Sequence, residues 1–234
     1  MTEDTRIPDA RTRLIDAALM HVPFDGWSEA SFRAAAVDAG LTDGEARAIC
    51  PRGAVDLALA FHARGDAAMV ERLKATDLTA LRFRDRIAHA IRVRLELVEH
   101  DKEAVRRGLT LFALPMHAGD GARALWQTAD AIWTTLGDTS DDLNWYTKRA
   151  TLSGVYSSTV LYWLGDQSMD HTATWGFLDR RIDGVMQIEK IKGQVRKSQF
   201  LKPFLAGPEW LASRIKAPSS AAPADLPGRW GPRP

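Results

Sequence analysis

The 234-residue chain holds a single cysteine, Cys50. One thiol makes no internal disulfide, so the fold must rest on packing, and a reducing compartment is its natural setting. Cys50 lies in an apolar stretch before Pro51, with nothing nearby to lower its pKa, and reads as a packing residue. A surplus of one charge is missing as well: 31 Lys and Arg stand against 30 Asp and Glu. A whole-protein pull toward nucleic acid is thereby excluded, though a local patch is not. No apolar run reaches the roughly 18 residues that a membrane span requires, so any membrane contact is expected to be peripheral. Residues 1–13 contain no apolar run, and Glu3, Asp4 and Asp9 argue against a secretory or transit segment.

The usual residue sets of catalysis are absent too. There is no Gly-rich phosphate loop, no Cys pair and no Gly-x-Ser-x-Gly elbow. The six histidines (His21, His62, His89, His100, His117 and His171) are scattered, with no His-x-x-x-His spacing for zinc. A four-helix di-iron site needs Glu-x-x-His from two helices. The nearest approach is Glu96, Glu99 and His100, which does not match. A non-enzymatic protein with no cofactor and no metal is expected.

What is present is helical periodicity almost throughout, with no strand-like alternation. Leu14, Ile15, Ala18, Leu19 and Val22 form one amphipathic face, with Asp9 as N-cap. Ser28 caps a second helix carrying Phe32, Ala35, Ala36 and Ala39, and Gly40 ends it. Thr42 and Glu45 are spaced as a capping box for a short third helix that Pro51 stops. A fourth runs from about 54 to 75 with Leu57, Phe61, Ala68 and Leu73 inward. Helices follow at about 79–100, 102–114, 121–137, 142–164 and 171–194, separated by Gly, Pro and Asp clusters. The expected fold is all-α: a helical bundle at 76–195 behind a helix-turn-helix-like unit at 1–75.

The layout of that amino-terminal unit resembles the regulators of the TetR class. Its candidate recognition helix is poorly charged for DNA. From Ser28 to Gly53, Arg33, Arg47 and Arg52 face Glu29, Asp38, Asp43 and Glu45, a net charge of 3 − 4 = −1. Phosphate binding needs cations, so the helix-turn-helix reads as vestigial and nucleic acid is not an expected partner. A ligand-responsive TetR-class transcription regulator stands as the alternative.

Three further patterns carry functional expectations. Asp142, Trp145, Tyr146 and Arg149 fall at i, i+3, i+4 and i+7, one helix face. Trp, Tyr and Arg together suit a protein interface. A helix start whose aromatics pack inward, with Asp142 as cap, is equally consistent with the spacing. The long helices also hold a surplus of large apolar side chains. Leu109, Phe112, Trp126, Trp133, Leu152 and Tyr156 are the candidates for an apolar cavity, although periodicity does not separate a filled bundle from a hollow one. Last, Phe200, Leu201, Phe204, Leu205, Trp210, Leu211 and Ile215 make an apolar set within 196–216. Six cations against Glu209 flank it between Lys192 and Lys216. That composition suits peripheral membrane contact, with packing on the protein's own domain or a second subunit as the alternative. Pro203 and Pro208 argue for two short helices there. Residues 217–234, rich in Pro, Ala, Ser and Gly, are expected to be disordered.

The segment from Asp138 through Asp142, Asn144, Trp145, Tyr146 and Arg149 to Leu152 resembles the signature of the coenzyme Q biosynthesis protein nine family, TetR-like lipid-binding accessory proteins of ubiquinone synthesis. Further matches are Val22–Ser28, Ala113–Pro115, Ala129–Trp133 and Phe177–Ile182, so the resemblance runs from about Leu14 to Lys192. It implies a bundle pocket for an isoprenoid quinone precursor or a phospholipid. It implies direct binding to the demethoxyubiquinone hydroxylase through a patch that Asp142, Trp145, Tyr146 and Arg149 match. It also implies a homodimer and a final amphipathic helix at the membrane. With no transit segment read at the amino terminus, a bacterial protein, cytoplasmic and peripheral on the inner membrane, is the expectation.

Overall fold

The computed structural model describes residues 9–197, with side chains to 185. The membrane-contact set from Phe200 to Ile215 and the tail at 217–234 lie outside the described residues. Nine α-helices account for the described fold, and no strand occurs among these residues. In order they are α1 (Ala10–Asp25), α2 (Glu29–Asp38), α3 (Asp43–Ile49), α4 (Ala54–Lys74) and α5 (Phe83–Glu96). After them come α6 (Lys102–Phe112), α7 (Ala118–Thr135), α8 (Leu143–Gly165) and α9 (Thr172–Lys197).

Local chemistry sets the amino-terminal boundaries. Asp9 accepts from the Thr12 amide at 2.7 Å and opens α1, and Ser28 accepts from Ser31 N to open α2. Gly40, at φ 67°, takes the left-handed turn that ends α2. The Leu41 amide then reaches back to Ala36 O and the Gly40 amide to Val37 O, a Schellman closure. Thr42 and Glu45 make the full reciprocal capping box at α3. Leu14, Phe32, Ala35, Ala46 and Leu57 seal the small core between these helices, and Cys50 is buried at its edge.

α4 links this unit to the bundle, touching α1 and α2 on one side and α5 and α7 on the other. α8 lies between α7 and α9, and α9 closes back on α5. The structure departs from the periodicity reading at α5, which spans Phe83–Glu96 and not about 79–100, at the start of α7 and on the inward face of α4. α7 starts at Ala118 and absorbs Gly119 and Gly121, which were expected to break the chain. A β-carbon on Gly121 would meet Phe112 Cβ at 2.7 Å, so this glycine serves close helix packing instead. On α4, Ala68 faces solvent, and the inward face carries Gly65, Asp66 and Met69. A charged residue on the buried stripe is what hydrophobic periodicity missed.

Candidate functional site

Small side chains on facing helices leave the bundle hollow. Ala58 on α4, Ala104 and Gly108 on α6, and Gly121, Ala122 and Ala124 on α7 all border one cavity of about 450 Å³. Most of its walls are apolar. Phe61, Leu95, Val98, Leu109, Phe112, Leu125 and Val160 supply most of the surface, and Trp27 closes one side. Trp27 is held there by its indole N–H, which donates to Ala104 O at 2.9 Å, and by the Phe61 ring at 5.5 Å. Gly108 passes the Trp27 indole with ordinary contact. Exposed lining residues mark a mouth at Ala113, Ala118, Ala122 and Leu161. The loop from α6 to α7, between the lining residues Ala113 and Ala118, also exposes Leu114 and Met116, the latter 78% exposed.

The inner wall is polar where α4, α5, α7 and α8 meet. Arg94, 2% exposed, donates from Nε to Asp66 Oδ1 at 2.7 Å and from Nη2 to His62 O at 3.0 Å. Thr128 gives its one proton to Asp66, 2.9 Å from Oδ2. His62 Nε2, 2.8 Å from that hydroxyl, then acts as the donor. The result is a single chain of bonds ending on one carboxylate. Burial works against the Arg94 cation, and the Asp66 carboxylate bonded to it offsets that cost, so Arg94 stays charged. Burial also lowers the His62 pKa, opposed by Asp66, which keeps the ring neutral near pH 7. The Tyr156 phenol is pushed up by burial and stays protonated. Gly65 makes room for the pair: a β-carbon there would sit 2.6 Å from the Arg94 guanidinium.

Of the six cavity candidates read from the sequence, Leu109, Phe112 and Tyr156 line the cavity, and Trp126, Trp133 and Leu152 lie off it. Leu152 is buried in the general core. Trp133 packs against Phe83 and lends its face to the Lys148 ammonium, and its N–H donates to Lys148 O. Trp126 joins Trp145 and Tyr146, with ring centroids 5.8 and 6.3 Å away. A helical stripe wider than the cavity is the reason: residues one turn apart on α7 face different neighbours. Trp27, Phe61, His62 and Arg94 were not picked out, although a charge at Arg94 between Ile91 and Leu95 on an apolar face was a usable signal.

The interface candidates cluster at the start of α8. Asp142 caps the helix through the Asn144 amide at 2.8 Å and is exposed. Trp145 and Tyr146 are half-buried, their rings 4.8 Å apart edge to face. Arg149 does not share their exposure. It is 2% exposed, and its guanidinium lies under the Trp145 ring at 4.0 Å. It bonds Asp130 at 2.5 Å and Asp138 at 3.0 Å. Those two carboxylates, on α7 and the loop after it, draw Arg149 inward, so it supports the aromatic patch from below. Asp138 also accepts from Lys148 and Ser140. Burial alone would raise the Asp138 carboxyl, but the Lys148, Ser140 and Arg149 donors win and lower it to about 2.

The geometry defines a class: a TetR-fold helical protein whose bundle holds an open, largely apolar cavity with a polar inner wall. A solved TetR transcriptional regulator from Nitrosomonas europaea superposes with a TM-score of 0.62 at 18% identity, covering 75% of this chain and 97% of that one. Residues 118–189 match the COQ9 family model. The mitochondrial ubiquinone biosynthesis protein COQ9 of Rattus norvegicus is 32% identical over 197 residues, 80% of this chain and 62% of that protein. Its Drosophila melanogaster counterpart is 31% identical, over 82% of this chain and 60% of that protein. The chain is similar to the COQ9 proteins over most of its own length. It spans a little under two thirds of the length of these relatives.

Proposed function

We propose that this protein is a non-enzymatic, lipid-binding accessory factor of ubiquinone biosynthesis. In this reading it raises a polyprenylated precursor out of the bilayer for the demethoxyubiquinone hydroxylase. The observation that carries the reading is the hollow bundle. A cavity of about 450 Å³ holds roughly 15 non-hydrogen atoms at about 30 Å³ each, one end of a long lipid. The rest of the chain leaves through the mouth past Ala118 and Leu161. Burying about ten methylene-sized groups at ~0.8 kcal/mol each gives ~8 kcal/mol before ordering costs, enough for reversible loading. The relatives' name supplies the pathway.

The hydroxylase docks on Asp142, Trp145 and Tyr146, with Arg149 holding Trp145 in place. Membrane contact falls to the set from Phe200 to Ile215, and dimerisation to the carboxy-terminal helices. None of the described helices is long and apolar enough to cross a membrane. The test is organic extraction of purified protein followed by mass spectrometry. A stoichiometric isoprenoid or phospholipid is expected in the wild type. Gly108→Leu, which fills the cavity beside Trp27, should lose it. Extracts empty of lipid from both proteins would sink the proposal. A second extraction-independent check is liposome flotation of protein truncated at Val195, where unchanged binding would remove the carboxy-terminal segment from the account.

The regulator alternative draws on the fold match. Against it, the helix-turn-helix cations are tied to acids. Arg33 and Arg47 both bind Glu29, and Arg52 binds Asp56 and Asp120 at 2.8 Å. Phosphate would have to displace those carboxylates. Sequence-specific retention in a low-salt gel shift would favour the regulator.

A further inference from the structure

The polar inner wall is more than an apolar pocket needs. Arg94 is the one Lys or Arg among the lining residues, and Asp66 neutralises it from behind. His62 is uncharged there, so the wall presents hydrogen bonds without net charge. Two donors on the lining residues have no acceptor among the described residues. The Tyr156 hydroxyl makes no hydrogen bond among the described residues, and Arg94 Nη1 takes no part in the bonds to Asp66 or His62.

We propose that Arg94, Asp66 and Tyr156 select the charge of the group that reaches the inner wall, accepting a neutral oxygen-bearing end and rejecting a carboxylate or phosphate there, so that a phospholipid enters tail first. This deepens the lipid-binding reading and rests on it. A buried anion must lose its hydration, and only an uncompensated cation would repay that loss. Here an anion meeting Arg94 also meets Asp66, which lies within hydrogen-bonding distance of the same guanidinium. A neutral carbonyl, hydroxyl or ether oxygen loses far less hydration and still receives both donors. The free cavity residues therefore discriminate by charge, and the apolar walls leave chain length open.

Lauryl alcohol and laurate test this, since they share a chain and differ in end-group charge. Each displaces the neutral dye Nile red from the full-length protein at mildly alkaline pH. The alcohol is expected to compete at about tenfold lower concentration or better. Asp66→Asn, which keeps the acceptor for Thr128 but unmasks Arg94, should shift the ratio about tenfold or more toward laurate. Arg94→Gln leaves Asp66 as the sole charge and should shift it the other way, so it carries the test if circular dichroism shows Asp66→Asn unfolded. Equal competition by both probes in the wild type overturns the selectivity, as does a ratio unmoved in a folded variant. Nile red that binds and is displaced by neither probe also overturns it. Failure of the wild type to bind dye or probe at all refutes the lipid-binding reading itself.

Discussion

Removing Asp66 alone, by Asp66→Ala, leaves the Arg94 guanidinium in a site where its side chain is 3% exposed. It also strips the acceptor from Thr128. Breaking a buried pair from one side costs about 3–5 kcal/mol, because the remaining charge stays desolvated. At about 2–4 °C per kcal/mol for a domain of this size, the melting temperature should fall by roughly 6–20 °C. Replacing both partners with apolar residues of similar shape, Asp66→Leu with Arg94→Met, should cost much less, since no lone charge is left inside. Thermal unfolding followed by far-ultraviolet circular dichroism measures the wild type, Asp66→Ala, the single variants Asp66→Leu and Arg94→Met, and the double variant. A single-variant drop under about 2 °C, or a double variant as damaged as the single costs added together, would refute the view of this pair as a desolvated, mutually dependent unit.

At Asp138, stability should depend on acid pH. Its carboxyl, ordinarily near 3.8, sits at about 2 in the fold, so the charged form is favoured by folding. That stabilisation is complete above about pH 4 and is lost as pH falls toward 2, amounting to about 2 kcal/mol. Asp138→Asn should flatten that part of an acid-denaturation curve, and an unchanged acid limb would contradict the assignment. Gly65→Ala should destabilise by about 1–3 kcal/mol through its clash with Arg94, although alanine ordinarily strengthens a helix. Gly154→Ala, with open space around it, should gain about 0.5–1 kcal/mol, and denaturant midpoints of the two variants should move in opposite directions. If the hydroxylase docks as proposed, Trp145→Ala should weaken its binding about 30-fold or more by calorimetry. Arg149→Ala should instead melt early, because it removes the partner of Asp130 and one of the buried donors to Asp138.

The helices and their caps were legible residue by residue. Asp9, Ser28, Thr42 with Glu45, and Gly40 act on backbone groups within a few positions, so local order alone specifies them. The Asp142–Arg149 motif was equally visible, because helical spacing alone puts these side chains on one face. The tertiary fold alone settled which stripe residues meet emptiness and which meet each other. Leu109 and Phe112 border the cavity, whereas Trp126 packs on Trp145 and Trp133 on Phe83. A void arises from small residues on helices far apart in sequence, such as Ala58, Gly108 and Gly121, and no single periodic pattern records that sum. The same holds for charge. Arg149 turned inward because Asp130 and Asp138 wait beneath it, and Arg94 is tolerated inside because Asp66 lies 28 residues earlier on a neighbouring helix. Periodicity reports which side of one helix avoids water. Coulombic pairing and cavity volume belong to several helices at once, so they exist only after the bundle has closed.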